Sequence, residues 1–155
     1  MNRRIYTLYS LLFFISSCSK HNEYYLRSSS DKNTLYQVKE NGNSLRITEY
    51  DDVKSIAKTR MFVKENNNYV FTTSNGKRYI YFSTNIYKDL IKDDFSLLND
   101  SVTTGNEEKG QYYTVIKSNN KPVLYKYYFY KYYYDDNLKI NKIEYKIENR
   151  VFIYE

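Results

Sequence analysis

The sequence predicts a mainly β domain: an antiparallel meander of strands, open, sandwiched or barrel-like, carrying one or two short helices. Three observations point there. Tyrosine (21) and phenylalanine (8) are abundant, and both suit a pleated surface. Glycine (4) and proline (1) are scarce, which leaves asparagine to make many of the turns. Two Asn-Gly pairs, Asn41-Gly42 and Asn75-Gly76, each separate two runs of strand character, the strongest short-range signal of a hairpin.

The amino terminus stands apart from that pattern. Arg3 and Arg4 precede Ile5–Ile15, an uncharged run of eleven residues, followed by Ser16, Ser17 and Cys18. A basic segment, a short apolar run and small residues before a cut are the parts of an export signal. The run is too short to span a bilayer, which takes about 20 apolar residues. Ile15-Ser16-Ser17-Cys18 resembles the lipobox of bacterial lipoproteins, with isoleucine where leucine is commoner. The resemblance covers the leader only and implies cleavage between Ser17 and Cys18. Cys18 would then carry a diacylglyceryl thioether, which anchors the chain in membrane lipid. Cys18 is the sole cysteine, so an intrachain disulfide has no partner. Ser19 follows the cysteine where the inner-membrane retention pattern has Asp, and Glu23 is the only acid in "SKHNE". These features favour the periplasmic face of the outer membrane over the cell surface or the inner membrane. The expected organisation is a signal peptide at 1–17, a lipidated flexible tether at 18–33 and one β-rich domain at 34–155.

The domain reads as successive strands. "TLYQVKE" (34–40) pairs with "LRITEY" (45–50) through Asn41-Gly42, and "NYVFTTS" (68–74) with "KRYIYFS" (77–83) through Asn75-Gly76. "TRMFVKE" (59–65) joins the second hairpin through the asparagines at 66–68. Two segments predict helix: "DDVKSIAK" (51–58), and residues 86–98, where Ile86, Tyr87, Leu90, Ile91 and Leu98 recur at three- and four-residue spacing. Residues 99–110 predict a polar loop. "QYYTVIKS" (111–118), a tyrosine-rich strand over 122–134, "LKI" with "KIEYKIE", and "RVFIYE" (150–155) complete the chain, with turns near 119–121, 135–137 and 149.

The tyrosine-rich strand carries rings on both faces: Val123, Tyr125, Tyr127, Phe129 and Tyr133 on one, and Tyr128, Tyr130, Tyr132 and Tyr134 on the other. A central strand with one face in the core explains this. So does an aromatic binding surface, for which the second face, Tyr128 to Tyr134, is the candidate.

The residues offer little catalytic chemistry. The single histidine, His21, lies in the expected tether, which leaves no Ser-His-Asp or Cys-His set and no Cys/His metal cluster in the domain. The acid pairs Asp51-Asp52, Asp93-Asp94, Glu107-Glu108 and Asp135-Asp136 sit at expected turns or helix ends, where acids are common. No cofactor is expected. The formal charge of +6 falls to about +4 on loss of Arg3 and Arg4, and it alternates along the chain with no basic stripe, so no nucleic-acid partner is expected. The expected function is a non-catalytic module that binds or inhibits an envelope protein. A small-ligand carrier with a barrel-like cavity is the alternative, and a carboxylate-based hydrolase ranks third.

Overall fold

The computed structural model describes residues 21–51, 55–93, 98–118, 128–147 and 149–155. Cys18 and Ser17 lie outside them. Among the described residues, twelve strands form two six-stranded antiparallel sheets, each a meander in chain order. The first sheet holds β1 (His21–Arg27), β2 (Leu35–Asn41), β3 (Ser44–Tyr50), β4 (Ile56–Glu65), β5 (Asn68–Thr72) and β6 (Arg78–Phe82). The second holds β7 (Tyr87–Asp93), β8 (Leu98–Glu108), β9 (Gln111–Ser118), β10 (Tyr128–Tyr134), β11 (Ile140–Ile147) and β12 (Arg150–Tyr154).

The sheets share one core. Tyr36, Val38, Leu45, Ile47, Phe62 and Phe82 from the first pack with Val102, Ile116, Tyr132, Tyr134, Ile143 and Tyr154 from the second. Its centre is aromatic: the Phe82 ring meets those of Phe62, Tyr132 and Tyr134 edge-on at 5.1, 5.4 and 5.5 Å. Hydrogen bonds tie the sheets to each other, among them these. Arg27 and Glu155 exchange backbone hydrogen bonds of 3.1 and 3.0 Å, joining β1 to the end of β12. After β6, the Ser83 N–H donates to Tyr134 Oη (3.2 Å), and that hydroxyl donates to Ser83 O (2.9 Å).

The hairpins form where the turn residues predict them, with one shift of register. Asn41 pairs with Ser44, so Gly42 and Asn43, not Asn41 and Gly42, are the two turn residues. Gly42 takes φ 55°, a conformation that glycine enters at no steric cost. In the next hairpin Glu65 pairs with Asn68, and Asn66 and Asn67 take φ 47° and 62°, the two positive values of a type I′ turn. Gly76 takes φ 80° in the β5–β6 connection.

Three expectations are corrected. Both helices fail: Ile56 to Lys58 open β4, and Tyr87–Asp93 is β7, with residues 52–54 and 94–97 outside the described set. The spacing that suggested a helix over 86–98 also fits a strand with Ile91 inward and Leu90 outward, and pairing with β8 selects the strand. The polar loop at 99–110 is mostly β8, a strand paired on both sides, whose Val102 and Thr104 are buried. Finally, residues 21–27 of the expected tether pair along their whole length with β2. Leu26 and Ser28 are buried and Tyr24 is half-buried, an inward alternation that gives β1 a packed face.

Candidate functional site

The face nominated as a binding surface turns inward. Tyr130, Tyr132 and Tyr134 are buried in the core, while the Tyr128 side chain lies outside the described residues. The phase of β10 follows from Lys131, which needs water and takes the outer face with Tyr133. There the Lys131 and Lys142 ammoniums sit 4.5 and 3.9 Å from the Tyr133 ring and shield it.

β4 carries an inversion that sequence reasoning missed. Along "AKTRMFVK", the conventional choice would bury Ala57, Met61 and Val63 and expose Lys58 and Arg60. The strand does the reverse. Phe62 enters the core, and the two-residue period brings Lys58 and Arg60 in beside it, only half-buried, while Met61 and Val63 stand in solvent at 54% and 49% exposure. The register is held by Phe62, whose ring packs against Tyr81 (4.7 Å) and Phe82 (5.1 Å), and by the Asn66-Asn67 turn.

The inward cations meet acids and tyrosines at one end of the space between the sheets. Arg60 Nη1 donates to Tyr132 Oη at 2.9 Å, and its guanidinium lies 4.6 Å from the Tyr130 ring centre. Lys58 Nζ lies 5.9 Å from the same ring. Tyr130 Oη donates across the sheets to Glu49 at 3.3 Å, and Glu49 is the direct strand partner of Lys58. Asp100, buried on β8, faces the same region. Tyr130 also stacks on Tyr145 (4.7 Å, 25°), and Tyr145 on Phe152 (6.4 Å, 22°), a ring ladder across three strands.

Burial pushes the Lys58 ammonium down to about 8, and Arg60 pushes the same way against Glu49 and Asp100. Burial also raises the Asp100 carboxyl above its ordinary value, although Lys58, Arg60 and the Ser118 hydroxyl pull it back. Tyr36 and Tyr130 are raised chiefly by burial and remain protonated donors at neutral pH. Two buried atoms here, Tyr36 Oη and Asp100 Oδ1, have no hydrogen-bond partner among the described residues. The end of the core therefore presents two cations, two acids and a stranded donor and acceptor against an aromatic wall. That set can hold a charged or strongly polar group.

The acids singled out by sequence sit elsewhere. Asp51 Oδ1 accepts from the Ser55 N–H (3.2 Å) and hydroxyl (2.7 Å), and Asp135 Oδ1 from the amides of Asn137 (2.9 Å) and Lys139 (3.0 Å), both as turn braces. Glu107 pairs with Lys131 on the outer face. Asp52 and Asp94 lie outside the described residues, as does the Asp93 side chain. Among the described residues no group of three or more His, Cys, Asp or Glu could hold a metal ion. No protein-family model matches the chain, and neither a curated protein nor a solved structure does.

Proposed function

We propose that the chain is a lipid-anchored bacterial envelope protein that binds a partner without catalysis, its contact centred on Lys58 and Arg60. The anchor rests on the Ile15-to-Cys18 motif, with the periplasmic face of the outer membrane as the favoured location. The observation that carries the binding role is the inversion of β4. A fold that sends two cations toward its core and two apolar side chains into water loses stability on both faces. Such local conflicts concentrate at functional sites. Lys58 and Arg60 are half-buried, held by neighbours on opposite sheets, and suited to an acidic group on an envelope protein. The inter-sheet space beside them is filled by the rings of Phe62, Phe82, Tyr132 and Tyr134, which supports this reading over a carrier with an apolar cavity.

The test is capture from envelope extract by the mature chain, comparing wild type with Lys58→Gln and Arg60→Gln and with the outer-face control Lys117→Gln. The expected result is a protein retained by wild type and the control and lost with both inner variants. Equal capture by all four refutes the role of this end. Fatty-acid labelling of wild type but not Cys18→Ala tests the anchor separately.

A hydrolase is the second reading, and one observation favours it. Asp100 is held toward its protonated form and Lys58 toward its neutral form in one neighbourhood.

A further inference from the structure

β1 changes where the domain must sit. Only Ser19 and Lys20 separate Cys18 from His21, and three residue steps span at most about 10 Å. His21 pairs with Asn41 at the β2–β3 turn, so the anchored chain enters the domain at that end of the first sheet. The same end carries the Asn66-Asn67 turn and the 83–86 connection, because β4 finishes, β5 starts and β6 finishes there. The Glu49 and Lys58 row, with the β1–β2 turn at 28–34, lies toward the opposite end.

The anchored end has the chemistry of a surface that meets lipid. Ile86, in the connection after β6, is 81% exposed. Met61 and Val63 stand out on the adjoining outer face. Beside them lies a shallow groove of about 80 Å³ lined by Lys39, Asn41, Ser44, Arg46 and Met61. Lys39 and Arg46 are direct cross-strand neighbours, as are Arg46 and Met61. Acids share this end: Glu23 pairs with Lys39 at 3.2 Å and offsets its charge, Glu40 accepts from Asn22 at 3.4 Å, and Glu65 pairs with Arg78, so Arg46 is the main cation of the groove. Asn41 lines the groove and is the strand partner of His21, which brings the groove within reach of the lipidated residue.

We infer that this end of the domain rests directly on the phospholipid surface, with Ile86 entering the interface and the Lys39–Arg46 groove seating a lipid phosphate, so that the Glu49–Lys58 end faces away from the membrane. The inference rests on the proposed anchor at Cys18. Two observations favour a bilayer over a protein on this face: the length of chain to the acylated residue, and the pairing of cations with isolated apolar side chains. Apolar contact and attraction of cations to lipid headgroups together drive interfacial binding. The exposure of Met61 and Val63, a liability in free solution, is then satisfied by the membrane.

The test uses the lipidated chain in vesicles of phosphatidylethanolamine and phosphatidylglycerol. Acylated Cys18 leaves an introduced cysteine as the only free thiol, so Ile86→Cys, Met61→Cys and Ser29→Cys can each carry a polarity-sensitive probe. With quenchers placed at the lipid headgroup and upper acyl chain, the probe at 86 should be quenched several-fold more than the probe at 29, with 61 between them. Arg46→Glu in the Met61→Cys chain should reduce quenching at 61 and leave the folded spectrum unchanged. Equal quenching at 86 and 29 in a chain that takes up labelled fatty acid overturns the orientation and leaves the anchor standing. Failure of Cys18 to label overturns both.

Discussion

Two tyrosine hydroxyls, both buried in the same core, should respond to loss of one oxygen in opposite directions. Tyr134 Oη accepts from Ser83 N–H at 3.2 Å, donates to Ser83 O at 2.9 Å and lies 3.1 Å from Thr114 Oγ1. Tyr134→Phe keeps the ring and its contacts but strands both backbone groups of Ser83, itself 2% exposed. A buried polar group left unsatisfied costs about 1–3 kcal/mol, so the expected loss for the two is about 2–6 kcal/mol. Tyr36 Oη is also buried, yet it has no partner among the described residues. Tyr36→Phe removes a stranded hydroxyl and should be neutral or stabilise by about 1 kcal/mol. Tyr25→Phe is the surface control: its hydroxyl donates to Glu23 at 2.8 Å in solvent, and the change should stay within about 0.5 kcal/mol. Urea unfolding followed by circular dichroism measures all three, and thermal midpoints should move about 3–6 °C per kcal/mol for a domain of this size. The reasoning is refuted if Tyr134→Phe costs less than about 0.5 kcal/mol, or if the two core substitutions shift stability in the same direction.

Three further outcomes are expected. A Cβ at position 105 would lie 2.7 Å from Tyr113 Oη and 2.8 Å from its Cζ, so Gly105→Ala should cost about 1–3 kcal/mol by thermal unfolding, part of it recovered on adding Tyr113→Ala. Lys58, held down to about 8 by burial and Arg60, binds its proton less tightly folded than unfolded. Its cost is therefore full below about pH 8 and fades as pH rises toward the ordinary lysine value. Lys58→Met should raise stability at pH 7, and its advantage over wild type should shrink between pH 8 and 10, read by urea unfolding at each pH. Asn66 and Asn67 hold positive φ in the β4–β5 turn, so Asn67→Val should cost about 1–2 kcal/mol, while Asn67→Gly should be neutral or stabilising in the same assay.

Much of the fold was legible because local chemistry and global pairing agreed. The Asn-Gly and Asn-Asn turns specify the β2–β3, β4–β5 and β5–β6 hairpins, since few residues accept positive φ and the runs beside them suit strands. The misreadings have a common origin. β7 and β8 are short of apolar residues at strand spacing; β7 gains its order from β8, and β8 from β7 and β9, which no local window contains. β1 looked like a linker because its inward face is small, and β2 supplies the rest of its environment. The tyrosine strand offered two equivalent faces, and Lys131 decided between them only once the second sheet was in place. The charged end was the least legible, because burying Lys58 and Arg60 contradicts their hydropathy and depends on Glu49, Asp100, Tyr130 and Tyr132 arriving from other strands.

The chain's composition and turn residues are enough to settle an antiparallel β architecture and most hairpin positions, since strand preference and positive φ are properties of single residues and their neighbours. The leader motif is equally local, and it nominates Cys18 without reference to any fold. Only tertiary structure could decide which face of each strand is dry, because that depends on which sheet covers it. The direction of Lys58 and Arg60 and the exposure of Met61 and Val63 follow from that choice, and the pairing of residues 21–27 with β2 is likewise decided outside any local window. From them come both the binding end and the membrane-facing end proposed for this domain.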